Sequence, residues 1–451
     1  MIKKLYTETY GCQMNVYDTQ KMTALLKPHG FAPHDTYEDA DVVILNTCNI
    51  REKAAEKMYC ELGRIRDAKQ RKKAIGEQML IVVAGCVAQA EGEEIIKRAS
   101  CVDIVVGPQS YHNLPELITK VRHERKWVVQ LDFTPDEKFD ALQAEAQETQ
   151  SAAAFLSIQE GCDKFCHFCV VPYTRGAEYS RPASDVYKEA VRLAENGVRE
   201  ITLLGQNVSG YHGLATDGQQ VSIGQLIRMI AHIDGIERIR YTTSHPNDMT
   251  DEELFRVHAE EPKLMPFLHL PIQSGSNRIL KAMNRKHDRD FYLRVIERFR
   301  QARPDMLFSS DFIVGYPGET EQDLQDTIDI VRQVGYGQCY SFKYSIRPGT
   351  PAAILNDQIP EEIKDERLQR LQTELARSQL ECNKKMIGLT LPVLFEKPGK
   401  RQHQLVGKSP YMQSVVVYGD PSLIGTIQQV SISEAYQNSL HGEIYGTASA
   451  A

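Results

Sequence analysis

Residues 161–169 read Gly-Cys-Asp-Lys-Phe-Cys-His-Phe-Cys, a segment that places three cysteines in Cys-x-x-x-Cys-x-x-Cys spacing. Thiolates are soft ligands that select iron–sulfur clusters or zinc, and clusters are built on local cysteine runs of this kind. Cys162, Cys166 and Cys169 can bind three irons of a cubane. The fourth iron then keeps an open coordination position, which is the property of a reactive metal site.

A zinc site is the alternative interpretation, because His167 lies inside the same segment and would complete a Cys3His set. Zinc sites favour separated Cys-x-x-Cys and His-x-x-x-His pairs. His167 lies between two cysteines and directly follows Cys166, so it is too close in sequence to close a tetrahedral site. The spacing therefore favours the iron–sulfur cluster.

The composition is that of a globular protein of two or three domains, since the chain has 451 residues. Ten cysteines favour metal or redox chemistry in a reducing compartment over a disulfide framework. No apolar run approaches the length of a membrane span and the N-terminus has no apolar leader, so we expect a cytoplasmic protein with no membrane partner. The formal net charge of −7 argues against nucleic-acid binding unless the charge is unevenly distributed.

The first 131 residues alternate strand and helix patterns, which predicts an α/β domain with a parallel sheet. Predicted strands over residues 4–10, 41–45 and 79–84 are each followed at once by a cysteine. The carboxyl ends of parallel strands share one edge of the sheet, where open α/β folds bind their ligands. A second metal cluster is therefore predicted there, bound by Cys12, Cys48 and Cys86. The cysteines without such a position are expected to be structural: Cys60, Cys101, Cys339 and Cys382.

Residues 132–151 lack apolar periodicity and are predicted to be a linker. A strand over residues 152–158 then leads into the cysteine segment. Six strand–helix units follow to about residue 344, fewer than the eight of a closed barrel, so we expect an open, partial (β/α)6 barrel. Its first helix is predicted over residues 184–195, with Ser184 as the N-cap.

Five short strands separated by Gly and Pro predict a small OB-like β-barrel at the C-terminus, a fold that often holds nucleic acid. Residues 384–408 carry six basic side chains against one acidic side chain, a net charge of +5 that favours contact with RNA. A predicted helix over residues 51–73 has nine basic and four acidic side chains, also +5. It is either a solvated surface or a second guide for an anionic polymer.

Over nearly its whole length the chain resembles the methylthiotransferases, a branch of the radical S-adenosylmethionine (SAM) superfamily. Members have an N-terminal domain that binds an auxiliary cluster, a radical SAM barrel and a TRAM domain that binds RNA. Residues 46–54 (Asn-Thr-Cys-Asn-Ile-Arg-Glu-Lys-Ala) and 203–208 (Leu-Leu-Gly-Gln-Asn-Val) most resemble the MiaB type, the tRNA-2-methylthio-N6-dimethylallyladenosine synthases. The resemblance implies these parts: 1–131 with the auxiliary cluster, 132–151 as linker, 152–381 as radical SAM core and 382–447 as TRAM domain.

The resemblance also implies the cofactors, two [4Fe-4S] clusters and SAM. Cys12, Cys48 and Cys86 match the auxiliary ligands. Cys162, Cys166 and Cys169 match the catalytic cluster whose open iron binds SAM, and its reduction cleaves SAM to a 5′-deoxyadenosyl radical. The implied reaction adds sulfur and a methyl group at C2 of adenosine 37, which already carries an isopentenyl group on N6, next to the tRNA anticodon. That carbon bears an unactivated hydrogen, so a radical cofactor must supply the difficult step.

The implied partners are the tRNA anticodon loop, an electron donor such as flavodoxin or ferredoxin, and the iron–sulfur assembly machinery. Sister methylthiotransferases that act on threonylcarbamoyl-adenosine in tRNA or on an aspartate of a ribosomal protein are the nearest alternatives. A non-catalytic iron–sulfur protein that binds RNA is an alternative from another class.

Further site residues follow strand ends or the cysteine segment, where they are predicted to contact SAM or the substrate. For Arg175, Glu178 and Arg181 the alternative is an Arg–Glu pair of purely structural role. For Gln206, Asn207 and Gly315 the alternatives are loop caps or turns. At Ala177 and Tyr179 the family usually has arginine, which leaves any contact from those positions in doubt. The predicted cofactor-binding residues are Arg175, Glu178, Arg181, Gln206, Asn207, Gln273, Ser274 and Gly315.

Overall fold

The computed structural model describes residues 2–49, 52–133, 138–139 and 151–446, except the side chains of residues 52–54. The chain divides into two compact units, and the division falls within the cysteine segment. Cys162 belongs to the first unit, whereas Cys166 and Cys169 belong to the second. The first unit consists of residues 1–148, 160–163 and 170–181, and the second of residues 149–159, 164–169 and 182–451.

The first unit contains a six-stranded sheet that is parallel throughout, as the alternation of strand and helix patterns predicts. Its helices are Gln13–Leu26, Glu52–Ala74, Cys86–Glu91, Glu93–Arg98 and Leu114–Glu124. Its strands are β1 (Lys3–Tyr10), β2 (Phe31–Pro33), β3 (Val42–Thr47), β4 (Leu80–Gly85), β5 (Ile104–Val106) and β6 (Val128–Gln130).

The strand order is β2-β1-β3-β4-β5-β6, so β3 and β4 lie at the centre and are buried along their whole length. Successive side chains of a strand point to opposite faces. Accordingly Val42 and Ile44 pack in one hydrophobic cluster, whereas Val43 and Leu45 pack in another. Burial on both faces explains why these strands are continuous apolar runs in the sequence. The three-residue strands β2 and β6 carry no such signal and were not predicted.

The second unit begins with six parallel strands, which confirms the predicted (β/α)6 arrangement. Two-residue strands β8 (Gln159–Glu160) and β9 (Tyr179–Ser180) flank the cysteine segment. Helices Ala183–Glu195, Ile223–Ala231, Glu252–Glu260, Arg289–Ala302 and Glu321–Val334 follow successive strands. The six strands are β7 (Ala153–Ser157), β10 (Glu200–Leu204), β11 (Arg238–Thr242), β12 (Phe267–His269), β13 (Leu307–Val314) and β14 (Gln338–Lys343).

Strands β11-β10-β7 and β12-β13-β14 form two three-stranded ladders. The segment before β12 joins them, because the Ile239 amide donates to the Lys263 carbonyl at 2.7 Å and the Met265 amide donates to the Ile239 carbonyl at 3.0 Å. One apolar cluster runs through both halves, from Leu156 in β7 to Tyr336 before β14. The strands therefore present their carboxyl ends as a common edge, the active face of such folds.

Five C-terminal strands form a closed barrel in the order β15-β16-β17-β19-β18, joined to the rest by the helix Glu361–Lys384. This confirms the predicted OB-like module. Two buried arginines of β11 bind its backbone. Arg238 donates to the Pro392 carbonyl at 2.6 Å and Arg240 donates to the Ser409 carbonyl at 2.9 Å. The strands are β15 (Thr390–Pro398), β16 (Gln404–Lys408), β17 (Ser414–Tyr418), β18 (Ile427–Ala435) and β19 (Leu440–Ile444).

One local prediction was wrong, and one predicted segment is partly buried. The helix predicted to begin after Ser184 begins at Ala183, with Pro182 at the N-cap and no side-chain cap. Most of the predicted linker 132–151 lies outside the described residues, but Lys138 and Phe139 are described and both are buried, so this part packs within the first unit. Among the described residues, no helix is long and apolar enough to cross a membrane.

Candidate metal centres

The three N-terminal cysteines follow the ends of three adjacent strands, as the sequence predicts. In the sheet register, Tyr10 of β1 pairs with Thr47 of β3, and Thr47 pairs with Gly85 of β4. Cys12, Cys48 and Cys86 follow these positions by one or two residues. Their thiols interact, since Cys48 forms side-chain hydrogen bonds with both Cys12 and Cys86. We call Cys12, Cys48 and Cys86 the auxiliary trio.

Two glycines make this convergence sterically possible. Gly11 has φ of +134°, and a Cβ there would lie 2.1 Å from the Cβ of Cys48. Gly85 has φ of +97°, and a Cβ there would lie 2.3 Å from the Thr47 carbonyl oxygen. Both combine a backbone conformation that L side chains rarely adopt with a close approach to the neighbouring strand. Each glycine directly precedes a cysteine, so the pair Gly-Cys is the sequence signal for a thiol delivered at the strand end.

A buried pair of asparagines holds the loop of Cys12 against the end of β3. Asn15 accepts a hydrogen bond from the Cys12 thiol at 3.2 Å. Its amide nitrogen donates to Asn46 at 3.0 Å, and Asn46 donates to the Asn15 carbonyl at 2.9 Å. Asn46 also donates to Thr19 at 3.0 Å. The two motifs Gly-Cys-Gln-Met-Asn and Asn-Thr-Cys are thus parts of a single hydrogen-bond network.

The environment favours thiolate at two of the three cysteines. The contact with Cys48, and after it the charge of Arg175, lower the pKa of Cys86 to about 6 although burial opposes this. The same causes lower the pKa of Cys12 to about 7. Its contacts with Cys12 and Cys86, and then burial, raise the pKa of Cys48. Thiolates are the form that binds metal, so the trio suits a cluster.

Arg175, which is predicted to contact SAM or substrate, lies beside the auxiliary trio. Its guanidinium forms an ion pair with Asp18 at 2.6 Å and another with Glu160 at 3.4 Å, and its charge lowers the pKa of Cys86. Arg175, Asp18 and Glu160 are all buried. The Arg–Glu pair considered from the sequence therefore exists, but with Glu160 rather than Glu178 as the partner.

Two more buried residues complete this network. Lys138 forms an ion pair with Glu160 at 2.6 Å and with Asp18 at 3.6 Å. Gln109 donates from its amide nitrogen to Glu160 and to the Arg175 carbonyl, both at 2.9 Å. Although burial opposes it, the charges of Lys138 and Arg175 lower the pKa of Glu160. Two cations and two carboxylates thus balance one another beside the auxiliary trio.

In the first unit, the start of the cysteine segment packs against the chain that follows it. The Cys162 amide donates to the Gly176 carbonyl at 3.2 Å. Gly161 has φ of +76°, and a Cβ there would lie 1.9 Å from the Ala177 carbonyl oxygen. A glycine is therefore needed immediately before Cys162. Ala177 contributes backbone at this contact, so the departure from arginine there leaves the local fold intact.

In the second unit, the rest of the segment is held by residues 282–285, which follow the helix Asn277–Ala282. His167 contacts the Ala282 carbonyl through Nδ1 at 2.9 Å, and its amide donates to the Met283 carbonyl at 3.0 Å. The Asn284 side chain donates to the Phe165 carbonyl at 2.9 Å. His167 thus uses one ring nitrogen for backbone recognition, which favours a structural role over that of a zinc ligand.

Arg285 is the last of these residues, and it contacts Cys166, one of the predicted cluster ligands. Its Nη1 donates to the sulfur of Cys166 at 3.5 Å, and its Nη2 donates to the Pro271 carbonyl. The sequence interpretation missed Arg285 and Asn284. The sequence signal that could have indicated this contact is the asparagine two residues after the helix end, because asparagine often takes the left-handed conformation there. Asn284 indeed has φ of +57°.

Unpaired polar atoms lie close to Arg285. Nε2 of His245, both ring nitrogens of His287 and Nε of Arg285 are buried and have no hydrogen-bond partner within the described part of the chain. The rings of His245 and His287 lie 5.6 Å apart. Burial, followed by the charge of Arg285, lowers the pKa of His287 to about 3 and lowers that of His245 further. Buried polar groups are normally paired, so these atoms indicate the place of a polar ligand.

These observations fit the cofactors predicted from the sequence. In the described ranges, no three His, Cys, Asp or Glu side chains are arranged around a single metal ion. The ligands of a cubane bind different irons, so a cluster does not require that arrangement. The converging thiols of the auxiliary trio, together with Cys162, Cys166 and Cys169, suit two clusters. The unpaired imidazole and guanidinium nitrogens suit a polar ligand such as SAM.

The other predicted cofactor-binding residues mostly take part in internal contacts. Arg181 is buried and lies 4.9 Å from the ring of Phe139, while the amide of Glu178 donates to Asp163 at 3.1 Å. Asn207 is buried and donates to Asp248 at 2.6 Å. Gln206 follows β10 and is half-buried.

Later strand ends carry the last three predicted residues. Gln273 is buried, has φ of +78°, and exchanges backbone hydrogen bonds with Asp311 and Ile313. Ser274 contacts Thr327 at 3.3 Å. The Gly315 amide donates to Glu319 at 2.7 Å, and a Cβ at Gly315 would meet Lys364 at 2.4 Å. Packing thus accounts for Ser274 and Gly315, whereas no side-chain hydrogen bond occupies Gln273 within the described ranges.

The basic surfaces are smaller than their residue counts suggest. In the C-terminal module, Lys384, Lys385, Lys397, Lys400 and Arg401 are exposed. Lys408 is not, because it donates to Ser414 and burial lowers its pKa. In the helix Glu52–Ala74, two of the counted lysines form structural ion pairs: Lys69 with Asp103, and Lys72 with Asp41 and Glu77.

Comparison with known proteins places these sites in a family. Models of three families match in sequence order: uncharacterized protein family UPF0004 over residues 4–107, the radical SAM superfamily over 156–331 and the TRAM domain over 384–445. Two proteins named tRNA-2-methylthio-N(6)-dimethylallyladenosine synthase match this chain over 447 residues. The one from Rickettsia bellii is 60% identical to it, and the one from Rickettsia canadensis is 59% identical. Each alignment covers 99% of this chain and 100% of the relative. The chain belongs to this synthase family.

Solved structures support the fold of the family member described here. A radical SAM methyltransferase, TsrM, from Kitasatospora setae has a TM-score of 0.56 at 14% identity, covering 78% of this chain and 77% of that one. The cobalamin-dependent radical SAM enzyme OxsB has a TM-score of 0.52 at 13% identity, covering 83% of this chain and 56% of that one. At these identities the likeness concerns the fold alone.

Proposed function

We propose that this chain adds a methylthio group at C2 of N6-isopentenyladenosine 37 in tRNA. The observation that carries the proposal is the convergence of the auxiliary trio in a chain that also contains the segment Cys162–Cys169. One cluster site is enough to generate a radical, and a second site supplies a place for sulfur chemistry. The relatives that match over the full length carry the corresponding name.

Different residues of the chain would bind the two clusters and the polar ligand. Cys162, Cys166 and Cys169 would hold the radical SAM cluster, and the auxiliary trio would hold the second [4Fe-4S] cluster. When bound, the first cluster and SAM supply a radical that removes hydrogen from an unactivated carbon. Buried donors near Arg285 exclude bulk water and orient the polar part of the ligand.

The substrate proposal agrees with the C-terminal barrel, whose exposed basic turn between β15 and β16 includes Lys400 and Arg401. A base in an anticodon loop is single-stranded, so it can be turned out of the stack and read in a pocket. Phosphate contacts from a basic surface position such a substrate without reading its sequence. We therefore assign tRNA positioning to this surface.

Partners and location follow from this chemistry. A low-potential one-electron donor, such as flavodoxin or ferredoxin, would reduce the radical site, and the iron–sulfur assembly machinery would load both sites. A tRNA substrate and oxygen-sensitive clusters favour the cytoplasm. For the domains we propose residues 1–131, a connecting segment 132–151, residues 152–381 and residues 382–447, and the three family matches fall within the three larger ranges.

The test is mass spectrometry of tRNA nucleosides from a strain that lacks this protein. We expect N6-isopentenyladenosine to accumulate and its 2-methylthio derivative to disappear, with recovery from the wild-type gene and none from a Cys48→Ala gene. Loss of methylthiolated threonylcarbamoyl-adenosine instead would assign the chain to the sister reaction. An unchanged nucleoside profile together with an altered ribosomal protein mass would assign it to the protein substrate.

A further inference from the structure

Arg285 is a buried cation placed at a cysteine sulfur. It is 9% exposed, and its Nη1 lies 3.5 Å from the sulfur of Cys166. The backbone fixes this placement from both sides. The Asn284 side chain binds the Phe165 carbonyl on the cysteine segment, and the Arg285 amide donates to the Leu280 carbonyl at 2.9 Å. The contact with sulfur is therefore a property of the fold and not of a flexible side chain at the surface.

The charge of Arg285 has no protein counter-charge in the part of the chain that the structure describes. No carboxylate there forms an ion pair with it, and its only oxygen partner is the Pro271 carbonyl. The ionisable rings nearest to it, His245 and His287, are held neutral. A buried charge without a partner is strongly unfavourable. The site is thus arranged for negative charge, and the adjacent sulfur is where negative charge resides when a cluster is bound.

Arg175 shows what a neutralised arginine looks like in the same chain. It also lies beside a cysteine of a trio, but Asp18 and Glu160 pair with it at 2.6 and 3.4 Å. Lys138 balances the second carboxylate. Both cations beside the auxiliary trio are thus paired with acidic side chains, whereas the cation beside Cys166 has no acidic partner in the described part of the chain. Hydrogen bonds to the sulfurs and net charge set the reduction potential of iron–sulfur clusters.

We infer that Arg285 is a positioning residue that hydrogen-bonds the Cys166 sulfur and raises the reduction potential of the radical-site cluster. The inference rests on the proposed function, because it presupposes a cluster on Cys162, Cys166 and Cys169. In the step concerned, one electron passes from a low-potential donor to the cluster, and the donor is oxidised by one electron. Arg285 stabilises the added negative charge and takes no part in bond making.

The test is a redox titration of the full chain with dithionite, followed by electron paramagnetic resonance, in the absence of SAM. A Cys48→Ser background removes the signal of the auxiliary cluster. Arg285→Met removes the charge, Arg285→Gln keeps N–H donors without the charge, and Arg285→Lys keeps the charge. Lys281→Met is the matched control, because it removes one positive charge from an exposed position four residues before Arg285.

We expect Arg285→Met to shift the equilibrium of reduction at least tenfold, a midpoint lower by about 59 mV for one electron. Arg285→Lys is expected to shift the midpoint less, and Lys281→Met is expected not to shift it. An Arg285→Met protein with full iron and the wild-type midpoint would overturn the inference. If the Arg285→Met protein loses iron, the midpoint of Arg285→Gln decides by the same criterion. Loss of iron from both variants would also overturn the inference, since Arg285 would then serve to hold the segment together.

Failure of the proposed function gives a different result. A wild-type chain with no cluster on Cys162, Cys166 and Cys169 would contradict the function before Arg285 is tested. An effect of Arg285→Met that appears only when SAM is added would mean that Arg285 binds SAM and does not tune the potential, which also overturns the inference. Only a midpoint that moves without SAM supports it.

Discussion

The two cysteine trios are built in different ways. The auxiliary trio assembles from three strand ends, and Gly11 and Gly85 allow the strands to approach one another. The other trio lies within a single segment, of which Phe165 and His167 are bound by Asn284 and Ala282. The arginines beside them differ as well, since Arg175 is paired with carboxylates, whereas no carboxylate among the described residues pairs with Arg285. The comparison teaches that the protein supplies carboxylates to the arginine at the auxiliary trio only. The unpaired charge beside Cys166 is what we expect of a site that accepts an electron.

The largest effect we expect comes from removing one trio at a time. Cys166→Ala should abolish both reductive cleavage of SAM and methylthiolation. Cys48→Ala should abolish methylthiolation but retain cleavage of SAM to 5′-deoxyadenosine, because the radical site is intact. Chromatography of both products from anaerobic reactions with dithionite measures this. Cys60→Ala, at an exposed cysteine outside both trios, is the control. Equal loss of cleavage in both variants would show that the sites are not separate.

Arg175→Met should produce the next largest effect, on stability and on iron. It leaves Asp18 and Glu160 buried with Lys138 as the single cation, and breaking a buried ion pair costs about 3–5 kcal/mol. Urea unfolding and iron analysis measure the change, and we expect loss of auxiliary iron alone. Arg64→Met removes an exposed pair with Glu61 and should cost less than about 1 kcal/mol. Equal effects of the two substitutions would contradict the role of the network.

Gly85→Ala should weaken the auxiliary trio through the backbone. A Cβ at Gly85 would lie 2.3 Å from the Thr47 carbonyl oxygen, in addition to the cost of φ at +97°. Gly76 has φ of +81° and nothing within 4 Å of the added carbon, so Gly76→Ala carries only the conformational cost, about 1–2 kcal/mol. We expect a larger loss of stability and lower auxiliary iron in Gly85→Ala. Identical iron contents would remove the steric argument.

The smallest expected effect is the pH dependence of stability, to which different groups contribute in the two units. Burial lowers the pKa of His258 in the second unit to about 3, from an ordinary value of 6.5. As the pH decreases, His258 therefore takes up its proton in the unfolded chain before it does so in the folded chain. The free energy of unfolding falls between about pH 6.5 and pH 3, by at most about 1.4 kcal/mol per pH unit. Glu160 in the first unit has a lowered pKa, so its contribution is lost only below its ordinary range near 4.5.

Hydrogen exchange by mass spectrometry at pH 7 and pH 5.5, corrected for intrinsic rates, reads the two units separately. We expect the protection of the helix Glu252–Glu260 to be lower at pH 5.5 than at pH 7. Strands β3 and β4 also respond, for a different reason, because Cys12 and Cys86 take up protons in this range. His258→Gln should reduce the difference, although it also alters the 2.8 Å contact with Tyr241. An equal loss of protection in this helix of the wild type and of His258→Gln would mean that another group controls the acid response of the second unit.

The sequence predicts much of this arrangement, because strong local patterns control it. The strands of the partial (β/α)6 barrel and the five strands of the C-terminal barrel are present as predicted. The convergence of the auxiliary trio follows from parallel strands alone. The pairing of Arg175 with Asp18 does not, because these residues are 157 positions apart and no periodicity links them. The burial of Lys138 was missed for the opposite reason, since local composition indicates an exposed linker and a distant carboxylate overrides it.

The central claim is that one chain holds two separate clusters. Anaerobic iron and sulfide analysis of the wild type, Cys162→Ala and Cys12→Ala tests it most directly. Two cubanes predict about eight irons in the wild type and about four in each variant. A wild type with about four irons, or a single substitution that removes all the iron, would contradict it.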